Sequence, residues 1–433
     1  MTRPLRVLFL HASRDDANEY TVHRRLARHV DPDKVECYFI WQTATQDPSR
    51  DARLNLPKDR AFFIDFGRDQ SIQPRPSKAK RALMVLRRFP HTLAFVYRKM
   101  REIKPDVIYT TQQRHEVVLA QKFSRILGIP HLIHICYFIG PWLGAATYRL
   151  ILRNPHIHAS CEFVRQTGID AGIPPHHIQT MHHMADIPMF DLPHDHAWLC
   201  REFNWPEDTS IVVGAARLDP DKGFVQLLKA FAIVHQQMPK TRLLIAGQPS
   251  PGTDHHLLIK QTATDLGLNN VVTFAGYRTD LPKIFAGMDV FCQPVQHDAS
   301  SLVFLGAMVA RAPVVSVRSG SVPEVIVDGE TGLLSDVGDI DSLANNLLKV
   351  LQDKELATQL GCAGRERVEN VFGPQVIAHD WAEKLYRRFR KQETRPSQRR
   401  KIIDSVFGLC TVVGVREMAP ILAEIGVLYA QVF

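Results

Sequence analysis

A short polar turn in front of a helix is the feature of this sequence best suited to chemistry. Residues 289–294 predict an apolar strand that stops at a proline, and residues 302–311 predict a helix. Ser300 or Ser301 is a suitable N-cap for that helix, which begins at Leu302. The free N–H groups and the dipole of a helix N-terminus point at the same place, so the turn predicts an anion-binding site.

Strands and helices alternate around this turn in both halves of the chain. The predicted strands are Leu5–Leu10, Val35–Trp41, Arg60–Phe66, Asp106–Thr110, His131–Cys136, Ile157–Ser160, Ile178–Met181, Ser210–Ala216, Arg242–Ala246, Val271–Phe274, Asp289–Pro294 and Pro313–Val317. Such alternation predicts parallel sheets with right-handed crossovers. We therefore predict an α/β chain of two doubly wound, Rossmann-like domains that face each other across a cleft.

Length and composition predict where these domains begin and end. A chain of 433 residues is too long for one ordinary core. The stretch ahead of Pro206 is rich in Pro, His and Asp and has little periodicity, which is typical of a linker. The predicted parts are a first domain at 1–190, a linker at 191–206, a second domain at 207–372, a helix at 373–392 that returns to the first domain, and a basic linker with an apolar tail at 393–433.

Composition and charge narrow the class of protein. No apolar run approaches the ~18–20 residues of a membrane-spanning helix, and no charged-then-apolar leader precedes the first strand. The seven cysteines are scattered without a C-x-x-C pair, which favours reduced thiols and a cytoplasmic location over a disulfide framework or a zinc site. The net charge of +8 favours an anionic partner. A nucleic acid is disfavoured, because neither an aromatic-interleaved basic strand nor a recognition helix is present.

Four segments carry a combined pattern: IHASCEFVRQTGIDAGIPPHHIQTMHH, GAARLDPDKGFVQLLKAF, VVTFAGYRTDLPKIFAGMDVFCQP and HDASSLVFLGAMVARAPVVSVRSGSVPEVIVDGETGLL. Together they resemble the retaining glycosyltransferases of family 4, which have the GT-B fold of two Rossmann-like domains. The resemblance covers residues 105–390 well and residues 5–104 loosely. Any one segment alone is a weak signal, whereas the set is specific.

The resemblance implies a cation pair that grips a diphosphate. The family's Arg and Lys, five residues apart, map onto Arg217 and Lys222. A departing nucleoside diphosphate gains negative charge, and two fixed cations lower that barrier in a water-poor cleft. Gly214, at the head of the same segment, is assigned to donor binding.

The remaining site residues also follow from the resemblance. Ser300, Ser301 and Leu302 match the turn whose amides hold phosphates and sugar hydroxyls. Asp298 takes the place of the family's first Glu and is assigned a catalytic role in placing the sugar. The other predicted donor-binding residues are Tyr277, beside the base, and Glu324.

Several positions depart from the family pattern. The second Glu, which binds the ribose diol, falls on Gly306, and Glu324 is the carboxylate we consider as its substitute. The family's N-terminal-domain histidine falls on Cys136, and His134 can replace it only if the strand register differs. The glycine-rich first loop is replaced by residues 13–19, which contain no glycine.

Other features have two readings. Lys78–Lys104 is a basic amphipathic segment broken by Pro90; it either meets anionic lipid or is the solvated face of a helix packed on the sheet. Trp142 either stacks on an acceptor sugar or plugs the domain. The histidine pairs are interpreted as surface or linker residues, so we predict no metal site. They are His176 and His177, His182 and His183, His194 and His196, and His255 and His256.

These features lead to one functional prediction and two alternative hypotheses. We predict an enzyme that moves a sugar from a nucleotide-diphospho-sugar to a glycan or lipid-linked acceptor with retention, needing no cofactor besides this donor. The location is cytoplasmic, with or without contact to an anionic membrane surface. The first rival is a non-catalytic GT-B protein that acts as a binding or regulatory subunit in polysaccharide biosynthesis. The second is a GT-B enzyme whose donor lacks the ribose-diol contact.

Overall fold

The computed structural model describes residues 3–12, 18–42, 59–64, 66, 78–300 and 302–390, without the side chains of 18, 19 and 78–90. The chain forms two compact units. The first consists of the described residues within 1–160, 164–181 and 378–433, and the second of 161–163 and 182–377. The predicted tail at 393–433 lies outside the described residues.

The first unit is built on a parallel sheet. Its elements are β1 (Leu5–His11), α1 (Asn18–His29), β2 (Val35–Gln42), β3 (Ala61–Ile64), α2 (Lys78–Ile103), β4 (Val107–Thr111), α3 (Arg114–Leu127), β5 (His131–Ile135), α4 (Ala145–Leu152), β6 (Ile157–Ala159), α5 (Glu162–Asp170, which begins in the second unit) and β7 (Ile178–Thr180). The strand order is β3-β2-β1-β4-β5-β6-β7. The order changes direction between β1 and β4, which is the switch point of a doubly wound sheet.

The basic helix α2 packs on this sheet. Leu93, Val96, Met100 and Ile103 are buried in the same cluster as residues of β1 and β4. The packed-helix reading is therefore confirmed for residues 91–103. The predicted break at Pro90 is wrong, because α2 is one helix of 26 residues. In the described part of the chain, no helix is long and apolar enough to cross a membrane.

The second unit is a second parallel sheet. Its elements are α6 (Ile187–Phe190), α7 (His196–Glu202), β8 (Ser210–Ala215), α8 (Phe224–Gln237), β9 (Thr241–Ala246), α9 (His255–Asp265), β10 (Val272–Gly276), α10 (Leu281–Gly287), β11 (Val290–Cys292), α11 (Leu302–Val309), β12 (Val314–Val317), α12 (Val322–Val325), β13 (Leu333–Ser335), α13 (Ile340–Gln352) and α14 (Lys354–Phe372). The order is β10-β9-β8-β11-β12-β13. This repeats the topology of the first sheet, with the switch point between β8 and β11.

The predicted linker at 191–206 is part of the second unit. It contains α7, whose N-cap Asp195 accepts a hydrogen bond from the Trp198 N–H at 2.9 Å. Leu199 and Cys200 of α7 are fully buried in the core of this unit. The boundary between the units lies between residues 181 and 182 instead of after 190. A helix of only seven residues leaves too little periodicity to stand out from its Pro-rich and His-rich surroundings.

The last described helix, α15 (Pro374–Phe389), belongs to the first unit from Ala378 onward. Its Trp381 is fully buried against Phe9 and Tyr109, with ring centroids about 6 Å apart. Its Lys384 donates to the Thr180 carbonyl at 2.7 Å. The helix α15 thus packs on the first sheet. It lies within residues 373–392, where the sequence predicted a helix that returns to the first domain.

A nearly buried guanidinium joins three elements of the second unit. Arg365 of α14 donates to the Val309 carbonyl at 2.8 Å, to the Asp191 carboxylate at 3.0 Å and to Glu369 at 2.7 Å. The hydrogen bond from Arg365 holds the pKa of Asp191 below its usual value. That contribution to stability is present above the unfolded-state pKa of Asp191 and is lost as the pH falls through the folded-state value.

We expect Arg365→Ala to lower the free energy of unfolding by about 2–3 kcal/mol, because charge-assisted hydrogen bonds are lost and a buried carbonyl loses its donor. Urea denaturation followed by fluorescence measures this change. The control is Arg318→Ala, since Arg318 pairs with the exposed carboxylates of Asp328 and Asp336 and its loss should cost less than about 1 kcal/mol. Equal losses for the two variants would contradict the special role of Arg365.

Candidate functional site

The switch point of the second sheet brings the predicted cations and the predicted anion-binding turn together. Arg217 and Lys222 lie in the connection from β8 to α8, and the polar turn follows β11. Because β8 and β11 are neighbours in the sheet, both connections leave its carboxyl edge side by side. Ligands of doubly wound folds bind at this position.

Three contacts fix the two connections to each other. The Gln293 side-chain amide donates to the Lys222 carbonyl, and the Gln296 N–H donates to the Asp221 carbonyl at 2.8 Å. Gly223 has a φ of 72°, and a Cβ built there would lie 1.9 Å from the Pro294 carbonyl oxygen. The loop that carries both cations is therefore seated directly on the strand end that leads into the turn.

Each cation is paired with a carboxylate of its own loop. The Arg217 guanidinium lies 2.9 Å from Asp219 and donates to the Ser250 hydroxyl at 2.6 Å. The Lys222 ammonium lies 2.8 Å from Asp221. The Lys222 side chain is mostly buried, at 16% exposure, whereas that of Arg217 is 59% exposed. The two cations and the two carboxylates paired with them carry no net charge together. A bound diphosphate would therefore share the cations with these carboxylates.

Asp219 and Ser250 are site residues that the sequence analysis missed. The Asp219 carboxylate is buried and also accepts hydrogen bonds from the N–H of Ser250 at 3.1 Å and from its hydroxyl at 2.7 Å. These bonds tie the loop after β9 to the Arg217 loop. The only available signal was an acidic residue two positions after Arg217, since Ser250 is far away in the sequence.

Asp298 is anchored to a neighbouring loop. Its Oδ2 accepts a hydrogen bond from the Ser321 hydroxyl at 2.5 Å and lies 3.3 Å from the Ser300 N–H. Its carbonyl accepts the Ser321 N–H at 3.1 Å. A Cβ at Gly320, where φ is 54°, would lie 2.1 Å from that carbonyl oxygen. Asp298 therefore holds the turn before α11 in place, and its predicted role toward the sugar stays a prediction.

The other residues of the predicted turn differ in accessibility. Ser300 and Leu302 are half-buried, and Ser301 lies outside the described residues. Tyr277 follows Gly276 at the end of β10 and is 69% exposed. An aromatic ring that is packed on its own protein would not be this exposed, so Tyr277 remains available for a ligand.

Two predicted donor-binding residues have other contacts. Gly214 is buried within β8, where a Cβ would lie 2.9 Å from Leu227 and 3.2 Å from the Cys292 carbonyl oxygen. Its lack of a side chain allows α8 to pack closely on the sheet, and its assignment to donor binding stays a prediction. Glu324 accepts hydrogen bonds from the N–H groups of Glu162 and Phe163, both at 2.7 Å. Burial raises the pKa of Glu324, while these two bonds lower it.

Glu324 is not the nearest neighbour of the position where the family has its second Glu. A Cβ at Gly306 would lie 3.0 Å from two ring carbons of Phe190, which are its nearest side-chain atoms. The space beside Gly306 is thus bounded by an aromatic ring. The idea that Glu324 substitutes for the ribose carboxylate is not supported by these contacts.

The first unit carries a buried chain of three histidines. His11 Nε2 lies 2.9 Å from His23 Nδ1, and His23 Nε2 lies 3.0 Å from His134 Nδ1. All three rings are fully buried, and burial lowers the pKa of His11. His134 is therefore a packed histidine. His183, expected at the surface or in a linker, is also buried, at 3% exposure.

Trp142 lies on a short 3₁₀ turn, Pro141–Leu143, after β5. It is 48% exposed, and its Nε1–H donates to the Phe138 carbonyl at 3.2 Å. Tyr137, 36% exposed, is next to it with ring centroids 6.5 Å apart. A plug would be buried, so this exposure favours the ligand-stacking reading.

Two doubly wound units of this topology define the GT-B class of fold, and solved structures of that class match most of the chain. HepE of Anabaena, solved with UDP and glucose, matches with a TM-score of 0.71 and 20% identity over 88% of this chain and 99% of HepE. Sucrose-phosphate synthase of Thermosynechococcus elongatus matches with a TM-score of 0.68 and 19% identity over 90% and 100%. The predicted fold class is confirmed.

The family model "Glycosyl transferases group 1" matches residues 200–367, so this segment of the second unit is similar to the group 1 glycosyltransferases. The lipopolysaccharide core biosynthesis glycosyltransferase LpsE of Rhizobium meliloti is 31% identical over 180 residues, 42% of this chain and 51% of LpsE. A GDP-mannose-dependent alpha-(1-6)-phosphatidylinositol monomannoside mannosyltransferase of Mycolicibacterium smegmatis is 27% identical over 298 residues, 59% of this chain and 77% of that enzyme. The match to LpsE spans about half of its length.

Proposed function

We propose that this protein transfers a sugar from a nucleotide-diphospho-sugar to a glycan or lipid-linked acceptor, with retention of the anomeric configuration. One observation carries the proposal. The loop of Arg217 and Lys222 is bonded to the strand end that leads into the amide-rich start of α11, at the switch point of the second sheet. The two elements that we propose to hold a diphosphate are therefore neighbours at the edge where doubly wound folds bind ligands, which supports the proposal.

The chemistry follows from the charges. Bond cleavage at the anomeric carbon leaves a nucleoside diphosphate whose terminal phosphate gains negative charge. Lys222 and Arg217 stabilise that charge, and the N-terminal amides of α11 add hydrogen bonds that strengthen as it develops. Giving up the ion pair of the exposed Arg217 costs little, since such pairs are worth about 0–1 kcal/mol.

The relatives support the class of donor and of acceptor. HepE was solved with UDP and with UDP-glucose, and the mycobacterial relative is named for GDP-mannose. Relatives are named for a lipopolysaccharide core, a capsular polysaccharide and a phosphatidylinositol mannoside. We therefore propose a nucleotide sugar as donor and a glycan or glycolipid as acceptor for this chain.

The direct test is donor turnover. The purified protein is incubated with UDP-glucose, UDP-galactose, UDP-N-acetylglucosamine and GDP-mannose, with octyl glycosides as acceptor probes. Release of nucleoside diphosphate, by hydrolysis or transfer, is the expected result for at least one donor, and NMR of a transfer product reports the anomeric configuration. No release from any donor, with or without the probes, would contradict the proposal.

A non-catalytic GT-B subunit is the second candidate, and the ring of Phe190 beside Gly306 favours it. Where the family has a ribose-binding carboxylate, this chain offers an apolar contact. Such a protein would bind a nucleoside diphosphate without turning over any donor. The same incubation, combined with calorimetric titration of UDP and GDP, separates the two candidates.

We expect Trp142→Ala to weaken binding of the acceptor and to leave binding of the donor unchanged. An exposed indole offers a flat apolar face to a sugar ring, and loss of such stacking is worth about 1–3 kcal/mol, roughly 5- to 150-fold in KM for the acceptor probe. Initial rates at varied acceptor concentration measure it, and Trp142→Phe should restore most of the affinity. A KM unchanged in Trp142→Ala would exclude the stacking role.

Three further expectations from the sequence stay predictions. They are a cytoplasmic location, contact of α2 with an anionic membrane surface, and turnover without a bound metal or cofactor. Vesicle co-sedimentation with and without anionic lipid tests the second. Turnover in the presence of a chelator tests the third.

A further inference from the structure

A buried carboxylate lies between the two strands that flank the switch point of the first sheet. Glu116 is in the first turn of α3 and has no exposed surface. Its Oε1 accepts hydrogen bonds from the Ala12 N–H at 3.0 Å and from the Tyr20 hydroxyl at 2.6 Å. Its Oε2 accepts from the N–H of Thr111 at 3.1 Å and from its hydroxyl at 2.6 Å.

These donors come from both sides of the switch point. Ala12 directly follows β1, Tyr20 lies in α1, and Thr111 is the last residue of β4. One oxygen of Glu116 thus binds the β1–α1 side and the other binds the β4 side. The described residues on both sides of the β1–α1 connection are fixed by the same carboxylate.

Burying the Glu116 carboxylate costs free energy, which a contact with a purely structural role does not require. Burial raises the pKa of Glu116 to about 7, although all of its hydrogen bonds favour the ionised form. None of the described residues that donate to it is a cation. A neutral side chain would join these loops without the penalty of burying a charge. Buried ionisable groups with shifted pKa values at the carboxyl edge of such a sheet are concentrated at functional sites.

We propose that Glu116 is a positioning residue for the sugar transfer, which holds the ends of β1 and β4 in the arrangement that receives the acceptor. The proposal rests on the function proposed above. The chain has no glycine in residues 13–19, where the resemblance implies a glycine-rich loop, and Glu116 supplies another way of fixing the backbone at Ala12. Trp142 follows β5 of the same sheet and leaves it at the same edge.

The hydrogen bonds predict a pH dependence. Only the ionised carboxylate accepts from all four donors. The protonated acid donates its own O–H, so the hydroxyl of Tyr20 or Thr111 must accept that hydrogen bond and no longer donates to Glu116. Among the side chains that the structure describes, the titratable groups around it include Tyr20 of α1, His115 of its own helix and His11 of β1, whose ring lies 4.3 Å from that of Tyr20. Burial keeps His11 neutral. The set of four hydrogen bonds is therefore complete above about pH 7 and loosens below it.

The test compares the full chain with Glu116→Gln and with Asp106→Asn. The side-chain amide introduced by Glu116→Gln can accept on one side only, since its NH₂ group meets donors on the other. Asp106 is a matched control, because it is a carboxylate of the same unit that binds Arg3 and the Arg6 N–H at the opposite end of β4. The readouts are nucleoside diphosphate release with the octyl glycoside probes, calorimetric affinity for UDP and GDP, and hydrogen exchange at Ala12 and Thr111.

For Glu116→Gln we expect faster amide exchange, turnover lowered about tenfold or more at pH 8, and unchanged nucleotide affinity. Wild-type turnover should rise through about pH 7, and the variant should lose that rise. Asp106→Asn should keep both turnover and pH profile. Faster exchange with unchanged turnover would overturn the proposal, as would unchanged exchange. A wild-type protein that turns over no donor would instead overturn the proposed function, and this role with it.

Discussion

Replacement of Lys222 by alanine is expected to lower donor turnover by about 10²–10³-fold. The ammonium is mostly buried beside Asp221, in a loop fixed to the end of β11 by the side chain of Gln293. A cation held in this way needs little reorganisation when the leaving diphosphate gains charge. The loss should appear in kcat more than in KM, because the charge develops in the transition state.

The matched control is Lys229→Ala, which removes the same charge from an exposed position of the following helix. It should leave turnover within about twofold of the wild type, since exposed charges at a distance are screened by salt. Lys222→Ala should unfold within a few degrees of the wild type, because its ion pair is with a neighbour in the chain. Equal rates for the two variants would show that Lys222 does not act on the leaving group.

Gly223→Ala is expected to have the second large effect. A Cβ at this position would lie 1.9 Å from the Pro294 carbonyl oxygen, so the backbone of the cation loop must move away from the end of β11. The left-handed conformation, with φ at 72°, adds about 1–2 kcal/mol for any residue with a side chain. We expect a loss of about 3 kcal/mol or more in stability, together with loss of measurable donor turnover.

Gly267→Ala separates the steric effect from the conformational one. Its φ of 69° matches that of Gly223, but nothing lies within 4 Å of a Cβ built there. This control should lose only about 1–2 kcal/mol and keep its turnover. Thermal unfolding and donor assays on both variants measure the difference. Equal losses of stability would mean that the close approach to Pro294 does not constrain the loop.

The alternation of elements was enough to predict the class of fold. Apolar runs such as Leu5–Leu10 and Val35–Trp41 lie within β1 and β2, because a buried parallel strand must be apolar on both faces. The turn before Leu302 was also placed correctly between β11 and α11. The resemblance read from the combined motifs of the second half agrees with the family-model match to residues 200–367.

Predictions from local sequence patterns were wrong where tertiary packing determines the secondary structure. Pro90 does not break α2, although proline has the lowest helix propensity. Residues 191–206 resemble a linker in composition, yet Leu199 and Cys200 fill the core of the second unit. Hydrophobic contacts with distant residues supply the stability that the local sequence lacks.

The site was predictable where it lies within one loop. Arg217 and Lys222 are five residues apart in one loop, whereas the partners of Glu324 are some 160 residues away. Glu116 was not singled out, because its bonds to Ala12 and Tyr20 span about 100 residues and leave no local signature. The packing role of Gly214 could not be predicted, because the sequence does not show that α8 lies against this position.

Calorimetric titration of a nucleoside diphosphate against its monophosphate is the most direct test of the diphosphate site. For UDP with UMP, or GDP with GMP, the wild type should bind the diphosphate at least about tenfold more tightly. The Arg217→Ala, Lys222→Ala double variant should lose that preference while still folding. Equal affinity of the wild type for both nucleotides, or a preference that survives in the double variant, would contradict a diphosphate held between the cation loop and the start of α11.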